Sequence, residues 1–139
     1  MKNQHDAALV EQAIEASKRA YAPYSKFHVG AALECADGEI ILGCNVENAS
    51  YGLTNCAERT ALFSAIAQGK RDFKRLAIFV DTEDHTSPCG ACRQVLAELA
   101  PNIEILLVNR HRIVKKCTVK ELLPLAFGSE DLKHHAASL

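Results

Sequence analysis

The stretch RLAIFVDTEDHTSPCGACRQVLAELAPNIEILLVN, residues 75–109, contains two apolar runs on either side of a segment with helical features. RLAIFVD and EILLVN are near-continuous apolar runs of strand length, which is typical of strands buried on both faces of a sheet. The segment between them predicts a helix that starts near Pro88 and stops at Pro101. Its inward-facing residues are predicted to be Val95, Leu96 and Leu99. The order strand, helix, strand predicts a parallel crossover.

The segments that precede this unit extend the predicted sheet and add a second crossover. VGAALECA and IILGCNVE are two β-like runs separated by DGE, and an Asp-Gly pair between apolar runs is a strong hairpin signal. The first two strands are therefore expected to be antiparallel neighbours. CAERTALFSAIAQGK then predicts a helix with Gly69 at its C-terminal cap position. The inward-facing residues of this helix are predicted to be Leu62, Ala65 and Ile66.

The N-terminal segment predicts a further packing helix. Asp6 is expected to cap this helix, and the chain is expected to leave it before Pro23. The residues that share its buried face at helical spacing are Val10, Ile14, Ser17 and Tyr21.

The C-terminal part predicts a last strand and a short helix. RHR joins EILLVN to IVKKC, and so short a connection returns the chain antiparallel. TVKELLPLAF predicts a short closing helix, and the polar tail, residues 128–139, is expected to be loosely ordered. The predicted fold class is α/β, a five-stranded mixed sheet between helices with its last two strands antiparallel. No linker or repeat divides the chain, so residues 1–139 are expected to form one domain.

Composition excludes several classes of protein. The formal net charge is −1, and no segment collects the Lys and Arg residues expected of a nucleic-acid-binding surface. No apolar run approaches the length needed to span a bilayer, and the N-terminus lacks the apolar core of a signal peptide. The sequence therefore predicts a soluble, cytoplasmic protein that binds neither nucleic acid nor membrane.

The chain has six cysteines without a secretory signal, a combination that favours thiols or metal ligands over disulfides. Cys35, Cys44 and Cys117 lie in apolar or strand-like segments and are interpreted as structural residues. The Ser-Pro pair at 87–88 places Cys89 and Cys92 in the first turn of a helix, where residues three apart share a face.

Cys56 starts the other crossover helix. Parallel crossovers bring the N-termini of both helices to the same edge of the sheet, which is where ligands bind in open α/β sheets. Helix dipoles at this edge stabilise thiolates, so Cys56, Cys89 and Cys92 predict a zinc site. A structural zinc would require a fourth protein ligand, whereas a catalytic zinc leaves that position for water.

Glu58 favours the catalytic alternative. Because Cys56 is expected at a capping position, both residues can face the metal, and a carboxylate beside a metal-activated water is typical of a general acid/base. Three thiolates leave the centre with net negative charge, so a nearby cation would assist it. Arg59 and Arg93 follow the ligands closely, although each is equally well explained as a surface arginine.

NCAERT, followed further along the chain by SPCGAC, resembles the signature of the zinc-dependent cytidine deaminases, in which a Glu two residues after the first ligand precedes Pro-Cys-x-x-Cys. The similarity extends to YSKFHVGAAL, NVENASYG and ELLPLAF, in the family's order from Tyr24 to Phe127. It is to the small, single-domain form with three cysteine ligands. This resemblance implies a three-layer α/β/α cytidine-deaminase-like fold.

The resemblance also implies a role for particular residues. Glu58 would be the proton shuttle, and one zinc ion per subunit would be bound by Cys56, Cys89 and Cys92. Phe27 would stack on the pyrimidine, while Asn45 and Glu47 would bind the ribose hydroxyls. Backbone groups near Ala57 and Ser87 would orient the base, and Arg59 would compensate the charge of the thiolates. Phe127 would enter the active site of a neighbouring subunit. His28 departs from the family pattern, since a Pro commonly follows this Phe and would fix φ.

The implied function is hydrolytic deamination of free cytidine and 2′-deoxycytidine to uridine and 2′-deoxyuridine plus ammonia, in pyrimidine salvage. In this reaction a zinc-activated hydroxide attacks C4 and Glu58 transfers the proton. The implied assembly is a homotetramer with active sites shared between subunits. Glu47 is expected to favour nucleosides over nucleotides, because its carboxylate would repel a phosphate.

Three alternatives follow from the same residues. A zinc deaminase of another heterocycle, such as blasticidin S, would share the metal site, but NVENASYG with its ribose-binding resemblance argues against it. A non-catalytic structural zinc module would need a fourth ligand, for example Cys117. A thioredoxin-like oxidoreductase would use Cys89 and Cys92 as a dithiol and leave Cys56 and Glu58 without a role.

Overall fold

The structure, a computed structural model, describes residues 4–132. Its elements in chain order are α1 (Gln4–Ser17), β1 (Val29–Cys35), β2 (Ile40–Cys44), a 3-10 turn (Tyr51–Leu53), α2 (Ala57–Ala67), β3 (Phe73–Val80), α3 (Gly90–Leu99), β4 (Glu104–Val108), β5 (Val114–Thr118) and α4 (Val119–Leu122). The strands form one five-stranded sheet in the order β2-β1-β3-β4-β5.

The sheet is mixed. β3 and β4 are parallel, while the pairs β1–β2, β1–β3 and β4–β5 are antiparallel. The predicted hairpin, the β3–α3–β4 crossover and the antiparallel last strand are therefore confirmed. β2 and β3 run in the same direction with β1 between them, so the β2–α2–β3 connection crosses over one strand.

Helices cover both faces of the sheet, giving three layers. Side chains alternate along the central strands, so successive residues enter different apolar clusters. One cluster packs β1, β3 and β4 against α1 and includes Leu9, Val10, Ala32, Ala77 and Leu106. The other packs the opposite face against α2 and α3 and includes Leu33, Leu62, Leu76, Leu96 and Ile105. The α/β/α layering expected from the sequence is confirmed.

α2 lies unusually close to the edge strand β2. A Cβ on Gly43 would lie 2.4 Å from the carbonyl oxygen of Ala57 and 2.5 Å from the backbone nitrogen of Ala61. Only glycine permits this approach of helix backbone to strand. At its other end, α2 is followed by Gly69 with a φ of 88°, which agrees with the predicted C-terminal cap.

The predictions for α1 are partly wrong. Asp6 lies inside the first turn instead of capping it, because its buried carboxylate is held by Arg75 and by Lys116, the latter at 3.0 Å. The helix ends at Ser17, so Tyr21 lies outside it. The backbone of Tyr21 instead forms a short bridge to Val46.

The C-terminal part follows the predicted pattern. α4 begins with a capping box in which the Thr118 side chain accepts from the Glu121 backbone and the Glu121 side chain accepts from Thr118. The tail differs from the prediction at its start, because residues 129–132 form a helical turn in which the Gly128 N–H donates to the Asp131 carboxylate. The rest of the predicted tail, 133–139, lies outside the described residues. Among the residues that the structure describes, no helix combines the length and apolar character needed to cross a bilayer.

Candidate metal centre and active site

Three thiols meet at the N-termini of α2 and α3. Cys56 and Cys89 are the N-cap residues of these helices, and Cys92 lies in the first turn of α3. The Sγ atoms of Cys56 and Cys89 are 3.8 Å apart, those of Cys89 and Cys92 are 3.4 Å apart, and all three lie within 4.8 Å of one another. The juxtaposition expected from two helix N-termini at one sheet edge is therefore confirmed.

The surroundings of the cluster favour a thiolate at one of its three cysteines, Cys56. The pKa of Cys56 is lowered to about 5, chiefly because the Cys92 thiol donates to its sulfur, with further stabilisation from Arg59. The pKa of Cys92 is raised for the matching reason, since its proton is shared with Cys56 and its sulfur is buried. The cluster thus favours one thiolate, at Cys56. Zn²⁺ binds sulfur as thiolate, so its binding would displace the protons that remain on the other two cysteines.

The donor set fits a catalytic zinc ion. Within residues 4–132, no fourth ligand atom from a His, Cys, Asp or Glu joins the cysteine group. Cys117, the candidate fourth ligand of a structural zinc, is buried on β5 and pairs in register with Ile105 of β4. Three protein ligands with an open fourth position are the arrangement of catalytic zinc sites.

Arg59 lies beside the cluster as its positive neighbour. Its Nη2 donates to the Cys56 sulfur at 3.3 Å, and the thiolates hold its pKa above the usual range. Its Nε is buried and is the one side-chain nitrogen or oxygen among the described residues that combines burial with the lack of a hydrogen-bond partner. The position agrees with the charge-compensating role implied by the family resemblance.

Arg93 has a different environment. Its guanidinium donates to the carbonyl oxygens of Pro88 (2.8 Å) and Leu122 (2.7 Å) and to the Ser87 hydroxyl (2.8 Å). It therefore ties the loop before α3 to α4. It gives no hydrogen bond to a cluster sulfur, so its contacts do not support a charge-compensating role, and its partners also distinguish it from a free surface arginine.

Glu58 is buried next to the thiols. Its side chain is in the first turn of α2, and the residue is only 4% exposed. Burial raises the pKa of its carboxyl group, and the negative charge of Cys56 acts in the same direction. Cys56 has an extended backbone with φ −76° and ψ 154°, which allows both side chains to reach the same cavity, as the sequence predicted.

A cavity of about 540 Å³ opens over this centre at the edge of the sheet. Besides the thiols of Cys56 and Cys89, its walls include Phe27, Asn45, Glu47, Ala57 and Glu58. The volume is in the range of pockets for small organic ligands. Most of the predicted residues thus line one space. Cys92 and Arg59 do not line it but contact the sulfurs of Cys89 and Cys56, whereas Phe127 contacts neither the cavity nor the cluster.

Asn45 fixes the loop that carries Phe27. It is buried, its amide nitrogen donates to the Phe27 carbonyl oxygen at 2.6 Å, and its side-chain oxygen accepts from the Val29 N–H at 2.9 Å. Phe27 itself is 41% exposed and faces the cavity. An exposed aromatic ring on an anchored loop is suited to stacking on a planar ligand.

Glu47 receives several hydrogen bonds from the same loop. Its Oε1 accepts from the N–H groups of Tyr24 (3.0 Å) and Ser25 (3.1 Å), and its Oε2 accepts from the Ser25 hydroxyl. The hydroxyl of Ser25, followed by these N–H groups, holds the pKa of the Glu47 carboxyl below its usual value. Glu47 therefore contributes a negative charge to the cavity wall.

Phe127 lies outside the cavity of its own chain. It is 59% exposed, and its carbonyl oxygen accepts from Nε2 of Gln94 on α3 at 2.8 Å. The position leaves its ring available to another subunit, so the predicted intersubunit role stays a prediction.

Other lining residues were not identified from the sequence as functional. They are Ser25, Val29, Thr54, Ile78, Val80 and Thr86, together with the side chain of Pro88. Ile78 and Val80 lie near the carboxyl end of β3, and that position on a crossover strand is the signal that could have found them. Ser25 lies within the YSKF motif and gave no independent signal.

Comparison with known proteins shows which family this chain resembles. Residues 3–107 match the family profile described as the cytidine and deoxycytidylate deaminase zinc-binding region. A cytidine deaminase from Halalkalibacterium halodurans is 54% identical over 125 residues, which cover 89% of this chain and 95% of the relative. A cytidine deaminase from Sporosarcina psychrophila is 51% identical, over 92% of this chain and 95% of the relative.

Solved structures give the same picture. The crystal structure of cytidine deaminase from Burkholderia pseudomallei superposes with a TM-score of 0.85 at 54% identity, covering 87% of this chain and 98% of that one.

A blasticidin-S deaminase from Bacillus cereus is more distant, at 35% identity over 90% of this chain and 94% of the relative. The cytidine deaminases from Halalkalibacterium halodurans and Sporosarcina psychrophila are thus more similar to this chain than this blasticidin-S deaminase is.

Proposed function

The chain belongs to the zinc-binding cytidine and deoxycytidylate deaminase family, and on that premise we propose that it catalyses the hydrolytic deamination of free cytidine and 2′-deoxycytidine in pyrimidine salvage. The observation that supports this most directly is the juxtaposition of three thiols within 4.8 Å of one another and a buried carboxyl group at the wall of the same cavity. A redox dithiol would require neither the third thiol nor Glu58.

The proposed reaction converts cytidine and water to uridine and ammonia. A C4–O bond forms, the C4–N bond to the exocyclic amine breaks, and no oxidant or reductant takes part. Cys56, Cys89 and Cys92 would hold one zinc ion per subunit, whose chemistry when bound is to make water a nucleophile at neutral pH.

Glu58 is the proposed proton carrier. Its carboxyl group takes one proton from the attacking water and delivers it to N3 of the ring. It then takes the second proton from the new C4 hydroxyl and delivers it to the departing amine, which leaves as ammonia. Burial favours the protonated form of this group, so it can act as donor as well as acceptor. Arg59, in contact with the Cys56 sulfur, offsets thiolate charge at the centre.

The substrate is proposed to lie between the loop at Phe27 and the thiol cluster. The Phe27 ring stacks on the pyrimidine, and backbone groups near Ala57 and Ser87 orient its polar edge. Glu47 and Asn45 bind the ribose hydroxyls. Because the Glu47 carboxylate is charged, a phosphate nearby would be repelled, so nucleosides are preferred to nucleotides.

The proposed assembly is a cytoplasmic homotetramer in which Phe127 reaches the cavity of a neighbouring subunit. The exposed ring of Phe127 and the absence of that residue from its own chain's cavity support this arrangement. Analytical ultracentrifugation, followed by the same measurement and an activity assay on Phe127→Ala, tests it. A fully active monomer would contradict it.

An ultraviolet assay tests substrate, reaction and metal together. Purified protein is incubated with cytidine, and the loss of cytosine absorbance is followed before chelation, after zinc removal and after zinc is restored. Turnover should stop on chelation and return with zinc. A zinc-loaded protein that leaves cytidine unchanged would overturn the proposal, and faster turnover of blasticidin S would favour the alternative substrate. Comparable kcat/KM for cytidine and CMP would contradict the preference for nucleosides.

A further inference from the structure

We propose that Ser25 is a positioning residue that holds the Glu47 carboxylate in the orientation needed to receive a ribose hydroxyl. The proposal deepens the function given above and rests on it. Ser25 lies on the loop between α1 and β1, and both Ser25 and Glu47 line the cavity.

The two oxygens of Glu47 have different partners. Oε1 accepts two backbone N–H groups, from Tyr24 at 3.0 Å and Ser25 at 3.1 Å. Oε2 accepts the Ser25 hydroxyl, and no other donor to this oxygen is found within residues 4–132. Oε2 therefore retains acceptor capacity, and it is the oxygen that a hydroxyl donor in the cavity can reach without displacing a backbone bond.

The direction of the Ser25 hydroxyl is set by a second contact. Its Oγ accepts from the Phe27 N–H at 3.0 Å, and so its single hydrogen is available for Glu47. The residue between them, Lys26, has a φ of 62°, which closes the turn. Two consecutive hydrogen bonds therefore connect the Phe27 N–H to the Ser25 hydroxyl and the Ser25 hydroxyl to the Glu47 carboxylate.

These hydrogen bonds determine how freely the Glu47 carboxylate can rotate. The two N–H bonds on Oε1 anchor one oxygen but leave the carboxylate free to rotate about that point. The Ser25 hydroxyl supplies a second point of attachment and fixes the plane. Loss of the hydroxyl should therefore weaken recognition of ribose hydroxyls and leave handling of the base largely intact.

The test compares two substrates across a small set of variants. The proteins are wild type, Ser25→Ala, Ser25→Thr, Glu47→Gln and the double variant Ser25→Ala/Glu47→Gln. Each is assayed on cytidine and on 2′,3′-dideoxycytidine, which lacks the 2′- and 3′-hydroxyls and keeps the 5′-hydroxyl. Ser64→Ala on α2, outside the cavity, is the matched control. Circular dichroism and zinc content establish that each variant is folded and loaded.

Ser25→Ala should lower kcat/KM on cytidine about tenfold, because KM rises while kcat stays nearly the same. On 2′,3′-dideoxycytidine the same substitution should change kcat/KM by less than about threefold. Ser25→Thr, which keeps the hydroxyl, should stay close to wild type. When Glu47 is already Gln, the further substitution Ser25→Ala should lower kcat/KM on cytidine only slightly more. Equal losses on both substrates, or additive effects of the two substitutions, would overturn the assignment.

Failure of the underlying function has a different signature. If zinc-loaded wild type does not deaminate cytidine, the proposed function is wrong and the role of Ser25 falls with it. If wild type is active but Ser25→Ala leaves the ratio of the two substrates' kcat/KM values unchanged, only the positioning role is wrong.

Discussion

The Cα atom of Gly43 faces the carbonyl oxygen of Ala57 so closely that a Cβ there would lie 2.4 Å from that oxygen. Ala57 is the first residue of α2, directly between Cys56 and Glu58. The glycine on the edge strand therefore sets the position of the helix turn that carries both a proposed zinc ligand and the proposed proton carrier.

Gly43→Ala should displace the start of α2 and destabilise the protein by about 1–3 kcal/mol, the usual cost of overpacking. Thermal unfolding measures the stability, and zinc analysis with kcat on cytidine measures the effect on the site. Gly52→Ala is the control, because a Cβ there meets nothing within 4 Å and its φ is not positive. Equal stability of the two variants would mean that α2 can shift without cost.

Glu58→Gln should retain zinc and lower kcat on cytidine by about 10²–10⁴, because the amide cannot accept and return the proton. The measurement is kcat together with the zinc content of the same sample. Glu98→Gln, on the exposed side of α3, should be fully active. An active, zinc-loaded Glu58→Gln protein would refute the proposed role.

Cys89→Ala should lose zinc and some stability, because two thiolates remain where three are needed and metal binding is coupled to folding. Cys44→Ala and Cys117→Ala should keep full zinc occupancy, since neither thiol belongs to the cluster within the described part of the chain. Inductively coupled plasma analysis distinguishes these outcomes. Zinc loss on removal of Cys117 would instead favour a structural zinc module.

Arg59→Gln should reduce kcat/KM on cytidine by about 10–100-fold at full zinc loading, the typical effect of removing a neighbour that tunes metal ligands. Arg93→Gln is the informative comparison, because its guanidinium bonds backbone oxygens and a hydroxyl instead of sulfur. Arg93→Gln should lower the melting temperature more than Arg59→Gln does. If Arg59→Gln and Arg93→Gln lower kcat/KM and the melting temperature by similar amounts, Arg59 has no specific role in charge compensation.

Asp6→Asn should destabilise the protein by about 1.5–3 kcal/mol, since a buried charge-assisted pair with Arg75 and a contact with Lys116 are lost. Chemical denaturation measures this value. Glu15→Gln removes an exposed pair with Lys18 and should change stability by less than about 1 kcal/mol. Similar values for both would show that the buried pair contributes no more than a surface pair.

The predictable parts of the molecule depended on local pattern and on topology. The apolar runs and the Asp-Gly turn predicted strands that the sheet confirms, and the parallel crossover placed Cys56 beside Cys89 although the two are distant in sequence. The capping position of Cys56 also explained in advance how Glu58 could face the same space. These inferences needed only backbone geometry.

The parts that failed depended on side-chain partners from distant segments. Asp6 looked like a helix cap because its partners, Arg75 and Lys116, come from strands that no local pattern associates with α1. Arg93 was left undecided between two roles because its partner Leu122 lies beyond the next two strands. The bond between Ser25 and Glu47 is of the same kind, and neither residue predicts it alone.

The separation of the thiols along the chain orders events during synthesis. Cys56 leaves the ribosome well before Cys89 and Cys92, and the nascent N-terminal half offers one cluster thiol without its two companions. The two helix N-termini that bring the thiols together are connected through β3, the central strand that pairs with both β1 and β4. A nascent chain that ends before Cys89 therefore offers zinc only one of the three proposed ligands, and a chain must extend through Cys92 to offer all of them.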